Sequence, residues 1–398
     1  MKPFSLKPVI ASLMVGSLIS FLLVTPTSAA APDDGYPKDQ PAPGRTCPNT
    51  AAGASNVSKH NGKTLICTLI DGEKKWWIKG EPLPTKANAP AAPKAPEIKY
   101  TPKYKLPDAA KAKMTIFENV TYATKSPIQH LDIYMPKGVS KPPLMVWTHG
   151  GGFVIGDDDF MKFDESAKLL EEFIKNGIAV ASVNYHLAQE AKYPAAGVDA
   201  KTAIRFLRAN AAKYGYDPNK FATGGDSAGS YLALASAITG DQPSPFDDPT
   251  DPNKKTSAAV STVVDLFGNI DFFEMTANNK KYPCDQSKNP YPGADTKINP
   301  WFGDTTDAKV QASMKAAGLY PYLKSSKAIP TFFIFHGADD CSVSPYDSKN
   351  LDKAVKALNG KSTLTIVPGA IHGGPGVWTA VMKAVPAIKK SMVGSSTR

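Results

Sequence analysis

Beyond residue 107 the chain alternates between short, unbroken apolar runs and longer stretches whose apolar residues fall three and four apart. The first clear run is Leu144-Met145-Val146-Trp147-Thr148. Further runs occupy residues 178–183, 221–223, 260–267, 331–335 and 362–367. Runs of this length without polar alternation predict strands buried on both faces. Between them, residues 195–214 place Ala203, Phe206, Leu207 and Ala211 at helical spacing, and residues 228–238 predict a second helix. Strands alternating with helices predict an α/β domain, a mostly parallel sheet covered on both faces. Two stretches break the pattern. Residues 241–257 are rich in Pro and Asp and predict a surface loop. Residues 278–302 form a longer insertion carrying Cys284 and Trp301, the best candidate for a partial lid or a pocket wall.

The N-terminal part follows other rules. Lys2 and Lys7 precede an apolar stretch at 9–24 and a small-residue region at 27–31, the pattern of a secretory signal peptide over residues 1–31. An uncleaved membrane anchor is the alternative, but the stretch is short for a span and is interrupted by serines and Gly16. Residues 32–80 predict a small β-rich module, with strand-like runs at 64–69 and 76–78 around an Asp71-Gly72 turn. The module resembles small two-cysteine modules of secreted proteins. Its tandem Trp76-Trp77 offers either a sugar-stacking surface or one ring for a tiny core and one for the surface. Residues 81–107 contain seven prolines among alanine and lysine, the composition of a semi-rigid linker. Residues 108–398 are left for the α/β domain.

Four cysteines in an exported chain predict two disulfides. Cys47 and Cys67 share the small module, and Cys284 and Cys341 share the large domain, so these pairings are expected among the three possible. A Cys47–Cys67 bridge would contribute about 3 kcal/mol to a module too small for a core of its own. The net charge of +10 is concentrated early: residues 32–107 hold twelve basic and seven acidic side chains. That excess suggests contact with an anionic cell envelope, or simply a solvated basic linker. There is no nucleic-acid-binding motif, phosphate loop or metal-ligand cluster in the sequence.

The chemistry is concentrated at two glycine-rich junctions. Gly224-Gly225-Asp226-Ser227-Ala228-Gly229 follows a strand-like run and opens a helix. Gly225-x-Ser227-x-Gly229 has the form of a nucleophile elbow, which lifts a serine oxygen out of a sheet on a sharp strand-to-helix turn. Earlier, His149-Gly150-Gly151-Gly152-Phe153 follows the run at 144–148. An attacked ester carbonyl becomes an oxyanion, and glycines bring backbone N–H groups close to it. Gly151, Gly152 and Ala228 are the expected donors.

A serine nucleophile also needs a base and a group to orient that base. Of six histidines, His372 fits best, because it lies late in the chain in a glycine-rich loop after the run at 362–367. His336 directly follows a strand and more naturally supports a turn, and His149 belongs to the oxyanion loop. His130 lies in an early strand-like segment and His60 outside the domain. His186 is the nearest competitor to His372, with a pocket or core position as its other reading. The acid is Asp339 or Asp340.

Across residues 112–387 the sequence resembles the α/β-hydrolase esterases, including hormone-sensitive-lipase-like carboxylesterases and bacterial feruloyl and acetylxylan esterases. The resemblance rests on His149–Phe153, Asn184-Tyr185, Tyr193-Pro194-Ala195-Ala196, Asp199, the elbow, the His336-Gly337-Ala338-Asp339-Asp340 loop and His372. It implies Asp340 as the acid, with Val343 at an apolar position. Two departures stand out: Ser230 replaces a common third glycine, and His186 a common arginine. The resemblance implies a cofactor-independent Ser227–His372–Asp340 hydrolase acting on a small-molecule or polysaccharide-linked ester. Phe153, Tyr185, Tyr231 and Trp301 are the candidate pocket residues. A lipase, a peptidase, or an envelope-binding protein with a vestigial site are the other readings, because the fold hosts many functions.

Overall fold

The computed structural model describes residues 55–57, 64–70, 73–78, 103–282, 284–285 and 298–394. The expected signal peptide, Cys47, and residues 81–102 of the expected linker lie outside these. The described residues belong to two compact units.

In the smaller unit, strands Ser55–Val57, Thr64–Ile70 and Glu73–Ile78 pair antiparallel in sequence order, with Cys67 opposite Trp76. The expected Cys47–Cys67 bridge lies outside the described residues. Trp76 is half-buried.

The larger unit is built on an eight-stranded sheet. Its strands are β1 (Met114–Thr121), β2 (His130–Pro136), β3 (Leu144–Thr148), β4 (Ala179–Val183), β5 (Phe221–Asp226), β6 (Thr262–Leu266), β7 (Thr331–Gly337) and β8 (Ser362–Val367). Their order across the sheet is β8-β7-β6-β5-β3-β4-β2-β1. The six strands from β3 to β8 run parallel, and β2 pairs antiparallel with both β1 and β4. The central strands β3, β4, β5 and β6 are buried along their whole length, which is why each reads as an unbroken run. β8, at an edge, is only half-buried.

Six helices matter for the site: α1 (Asp164–Lys175), α2 (Ala195–Ala209), α3 (Ala228–Thr239), α4 (Phe272–Lys281), α5 (Pro345–Ala357) and α6 (Pro375–Gly394). One apolar cluster joins the sheet to α2, α3 and α5 through Ala203, Leu207, Tyr231, Leu351 and Val355. A second joins it to α1 and α6 through Leu170, Phe173, Trp378 and Val385. Every residue of α3 is buried, so this helix has no polar face and crosses the centre of the domain.

Three expectations need correction. The helix expected over 195–214 breaks at Asn210, whose side-chain amide donates to the Phe206 carbonyl oxygen at 2.9 Å. One further turn, Ala211–Tyr214, ends at Gly215 with φ of 91°. The stretch 241–257 is not a plain surface loop. Its Asp247 accepts from Lys201 at 2.8 Å and Arg205 at 2.6 Å, and its Phe246 is buried against Gly197, where a Cβ would come within 2.3 Å of the ring. The large domain also begins before residue 108. Leu106 is buried, its N–H donates to the Lys162 carbonyl, and the N–H groups of Lys103 and Tyr104 both donate to Asp164.

Candidate active site

β3, β5, β7 and β8 all end at the same edge of the parallel sheet, and each delivers one part of the site from its C-terminal end. Ser227 joins β5 to α3 with φ of 51° and ψ of −118°. That backbone is strained for a residue with a Cβ, at a typical cost of about 1–3 kcal/mol. Packing holds it in place. The Ser227 N–H donates to the Leu266 carbonyl at 2.9 Å. Thr148 Oγ1 donates to the Gly229 carbonyl at 2.7 Å. A Cβ at Gly225 would lie 2.5 Å from the Gly229 backbone, and one at Gly229 would lie 2.1 Å from the Thr148 carbonyl oxygen. The glycines on either side of the serine are therefore required by close backbone approach.

Ser227 Oγ lies 2.9 Å from His372 Nε2, and His372 Nδ1 lies 2.7 Å from Asp340 Oδ2. The other carboxylate oxygen, Oδ1, accepts the N–H groups of Ser342 at 2.8 Å and Val343 at 3.0 Å. Burial by itself would raise the Asp340 carboxyl. The His372 and His336 imidazoles outweigh burial and hold it well below the usual carboxylate range. The acid and base loops are tied together, with Ala338 N–H donating to Val367 O and Asp339 N–H to Ala370 O, both at 2.9 Å. The ring of Phe267 meets His372 edge-on at 4.7 Å. Cys341 is disulfide-bonded to Cys284, which fixes the residue after Asp340 to the segment following α4.

The loop after β3 carries the remaining candidates. Gly151 and Gly152 have φ of 109° and 62°. A Cβ at Gly151 would sit 2.1 Å from the Ile155 carbonyl oxygen. Among the described residues, no hydrogen bond uses the N–H groups of Gly151, Gly152 or Ala228. His149 is buried beneath the loop, stacked on Tyr185 at 4.2 Å. Burial pushes its imidazole down to about 4, so the ring is neutral at neutral pH, with Nδ1 2.7 Å from the Gly150 carbonyl it serves as donor.

A serine hydroxyl, an imidazole, a carboxylate and a glycine-rich loop at the ends of four parallel strands form one connected arrangement, and comparison with known proteins places the chain among esterases. Residues 131–355, more than half of the chain, match the BD-FAE family. The chain belongs to the BD-FAE family of α/β-hydrolase esterases. It is 25% identical over 250 residues to Esterase LipC of Mycobacterium tuberculosis, covering 62% of this chain and 57% of that protein. It is 24% identical to the probable isoprenylcysteine alpha-carbonyl methylesterase ICMEL1 of Arabidopsis thaliana, covering 62% of this chain and 48% of that protein. The chain thus spans about half the length of these curated relatives. Among solved structures, a truncated carbohydrate esterase from gut microbiota aligns with TM-score 0.56 and 26% identity, over 69% of this chain and 96% of that one. The butyrate-bound esterase 2 of Thermogutta terrifontis aligns at TM-score 0.54 and 19% identity, over 73% of this chain and 97% of that one, which is a likeness of fold.

The BD-FAE match takes in the glycine-rich loop after β3, Ser227 and Asp340, while His372 lies past its end. Both departures from the esterase pattern have partners. Ser230 Oγ donates to Asp265 Oδ1 at 2.5 Å. His186 places its N–H and Nδ1 at 2.8 and 2.6 Å from Asp199 Oδ2, so an imidazole–carboxylate pair stands where an arginine is common.

The pocket candidates need correction. Tyr185, Tyr231 and Trp301 are fully buried and Phe153 is 6% exposed. Phe153 stacks on Trp301 at 4.2 Å, Trp301 meets Tyr231 edge-on at 5.4 Å, and the Tyr185 and Tyr231 hydroxyls donate to the carbonyls of His149 and Ala317. Phe153, Tyr231 and Trp301 pack on one another, while Tyr185 stacks on His149 beneath the glycine-rich loop, which leaves little or no surface of these rings for a substrate. About half of the expected lid, residue 283 and residues 286–297, lies outside the described residues.

Asp226, next to Ser227, sits in surroundings that the sequence did not reveal. It is buried under the glycine-rich loop, and a Cβ at Gly150 would lie 2.3 Å from its Oδ2. Burial pushes its carboxyl up to about 7, against the favourable dipoles of the Trp147 indole and the Gly150 amide. Between the ordinary carboxylate range and about 7, the native state therefore keeps a proton that the unfolded chain has released, and stability falls as pH rises through that window. The neutral Asp226→Asn variant lacks this dependence. Its Tm should gain on that of wild type between pH 4 and pH 8 by roughly 3–6 °C. A difference in Tm that stays constant with pH would contradict the assignment.

Proposed function

We propose that the protein is an exported serine carboxylesterase that hydrolyses short-chain carboxylic esters, including those carried on carbohydrate. The observation that carries this reading is the continuous line from Ser227 Oγ through His372 to the buried Asp340 carboxylate, at 2.9 and 2.7 Å. His372 Nε2 takes the serine proton as Oγ attacks the ester carbonyl carbon. The carbonyl oxygen, now an oxyanion, accepts from the N–H groups of Gly151, Gly152 and Ala228, each such donor being worth about 2.7–4 kcal/mol in the transition state. The C–O bond to the alcohol breaks, and the alcohol leaves with the proton from His372. Water, deprotonated by the same imidazole, then releases the acid and restores Ser227. Asp340 fixes the imidazole tautomer and stabilises its cation throughout. Protein groups carry every step, so no cofactor is required.

Short acyl groups and carbohydrate-linked alcohols are favoured by the likeness to a carbohydrate esterase from gut microbiota and by a 33% identity over 106 residues to an acetyl esterase of Salmonella schwarzengrund, a stretch covering 27% of this chain. Export is supported by the signal-like pattern of residues 1–31 and by the Cys284–Cys341 disulfide. A p-nitrophenyl ester series from acetate to palmitate tests the reading. Turnover that peaks at acetate to butyrate, and that Ser227→Ala removes, is the expected result. A maximum at palmitate would make the enzyme a lipase, and turnover of peptide amides alone would make it a peptidase.

A further inference from the structure

A second imidazole lies against Asp340. His336, near the end of β7, is completely buried. Its Nε2 is 2.9 Å from the Val343 carbonyl oxygen and 3.2 Å from Asp340 Oδ2, the same oxygen that faces His372. Both neighbours of Nε2 act as acceptors, so this nitrogen carries a proton whatever the charge of the ring. Nδ1 lies 2.7 Å from Ser348 Oγ on α5, a hydroxyl able to accept or to donate. The ring therefore joins the acid to both the turn and the helix that follow it.

We propose that His336 is a fourth member of the site, a positioning residue that fixes the Asp340 carboxylate, shares its charge, and so sets how strongly Asp340 holds the His372 cation. The proposal rests on the esterase reading above. Two features carry it beyond packing. Asp340 Oδ1 is filled by two backbone N–H groups, so the carboxylate's remaining capacity lies in Oδ2, which the two imidazoles divide. The titratable groups facing His336 are acidic: Asp340 on its own loop, Asp265 on β6 and Asp347 on α5. Burial raises the carboxyls of Asp265 and Asp347, the latter to about 7. Burial disfavours the cationic form of His336, yet the bond to Asp340 and the surrounding acceptors outweigh it, and the imidazole is displaced upward. The Nε2 proton of His336, shared with Oδ2, draws charge from that oxygen and moderates the pull of Asp340 on His372.

The test is His336→Gln, which retains a donor but has no titrating ring. Turnover of p-nitrophenyl acetate is followed from about pH 4 to 9, per active site counted with a serine-directed fluorophosphonate. The expected result is a fall in kcat of about tenfold to a hundredfold with KM changed less than about twofold. The acid limb of kcat/KM, which the coupled Asp340–His372 pair sets, should move to higher pH. Ser348→Ala leaves the imidazole but removes its anchor, and should lower kcat per site by about two- to fivefold. A role in packing alone would reduce the number of titrated sites or the Tm. It would leave kcat per site and the acid limb unchanged, and that result would overturn the proposal. If His336→Gln yields no folded protein, the Ser348→Ala result decides in the same way. Wild-type turnover that survives Ser227→Ala would instead overturn the esterase reading and this proposal together.

Discussion

Ser227→Ala lowers kcat on p-nitrophenyl acetate by about 10⁵–10⁶-fold, to the residual rate that an oxyanion hole and binding alone provide. The variant should fold, because among the described residues the side-chain hydrogen bond of the hydroxyl is to His372, which keeps its bond to Asp340. Alanine still inherits the φ of 51°, which favours glycine. Ser227→Gly should therefore be as inactive as Ser227→Ala and more stable by about 1 kcal/mol, or roughly 2–4 °C in Tm. An inactive and more stable variant is the mark of strain held for function. Kinetics and thermal unfolding of both variants check the two halves separately. Substantial turnover in either one would remove Ser227 from the mechanism.

The second large effect separates two adjacent carboxylates. Asp340→Asn should lower kcat by about 10⁴-fold, because an amide at Oδ2 turns the imidazole to the wrong tautomer and cannot stabilise its cation. Asp339→Asn should stay within about threefold of wild type. The side chain of Asp340 is buried with His372 Nδ1 at 2.7 Å, whereas Asp339 reaches the base loop through its backbone N–H, to Ala370 O. Steady-state kinetics on the two variants give the answer directly, and equal losses would mean that the carboxylate nearest His372 has been misidentified.

The sequence disclosed the parts of this site that backbone geometry demands. Gly225 and Gly229 are legible because no side chain fits where the β3 and β5 backbones meet α3, and Gly151 because its φ of 109° and the Ile155 carbonyl exclude a Cβ. The buried strands are legible because a strand covered on both faces has no polar alternation. The choice between Asp339 and Asp340 needed either a family pattern or the folded loop, since both neighbours are equally able to accept a hydrogen bond. Contacts between side chains distant in sequence were not legible. Nothing in the spacing of Phe153, Tyr185, Tyr231 and Trp301 distinguishes a pocket wall from a buried ring, and the structure packs Phe153, Tyr231 and Trp301 together and Tyr185 against His149. The pairing of Lys201 and Arg205 with Asp247 likewise depends on α2 packing beside a loop more than forty residues later. His336 was legible as a turn histidine but not as a neighbour of Asp340 Oδ2, because four residues of separation do not fix where a ring points after a strand ends.

Covalent labelling decides whether Ser227 is the nucleophile of a serine esterase. The protein is reacted to completion with a fluorophosphonate and digested, and the labelled peptide is identified by mass while ester turnover is followed in parallel. One label per chain is expected, on Ser227, with turnover lost in proportion to labelling. Full turnover in labelled protein, or a label on another residue with Ser227 unmodified, would contradict it.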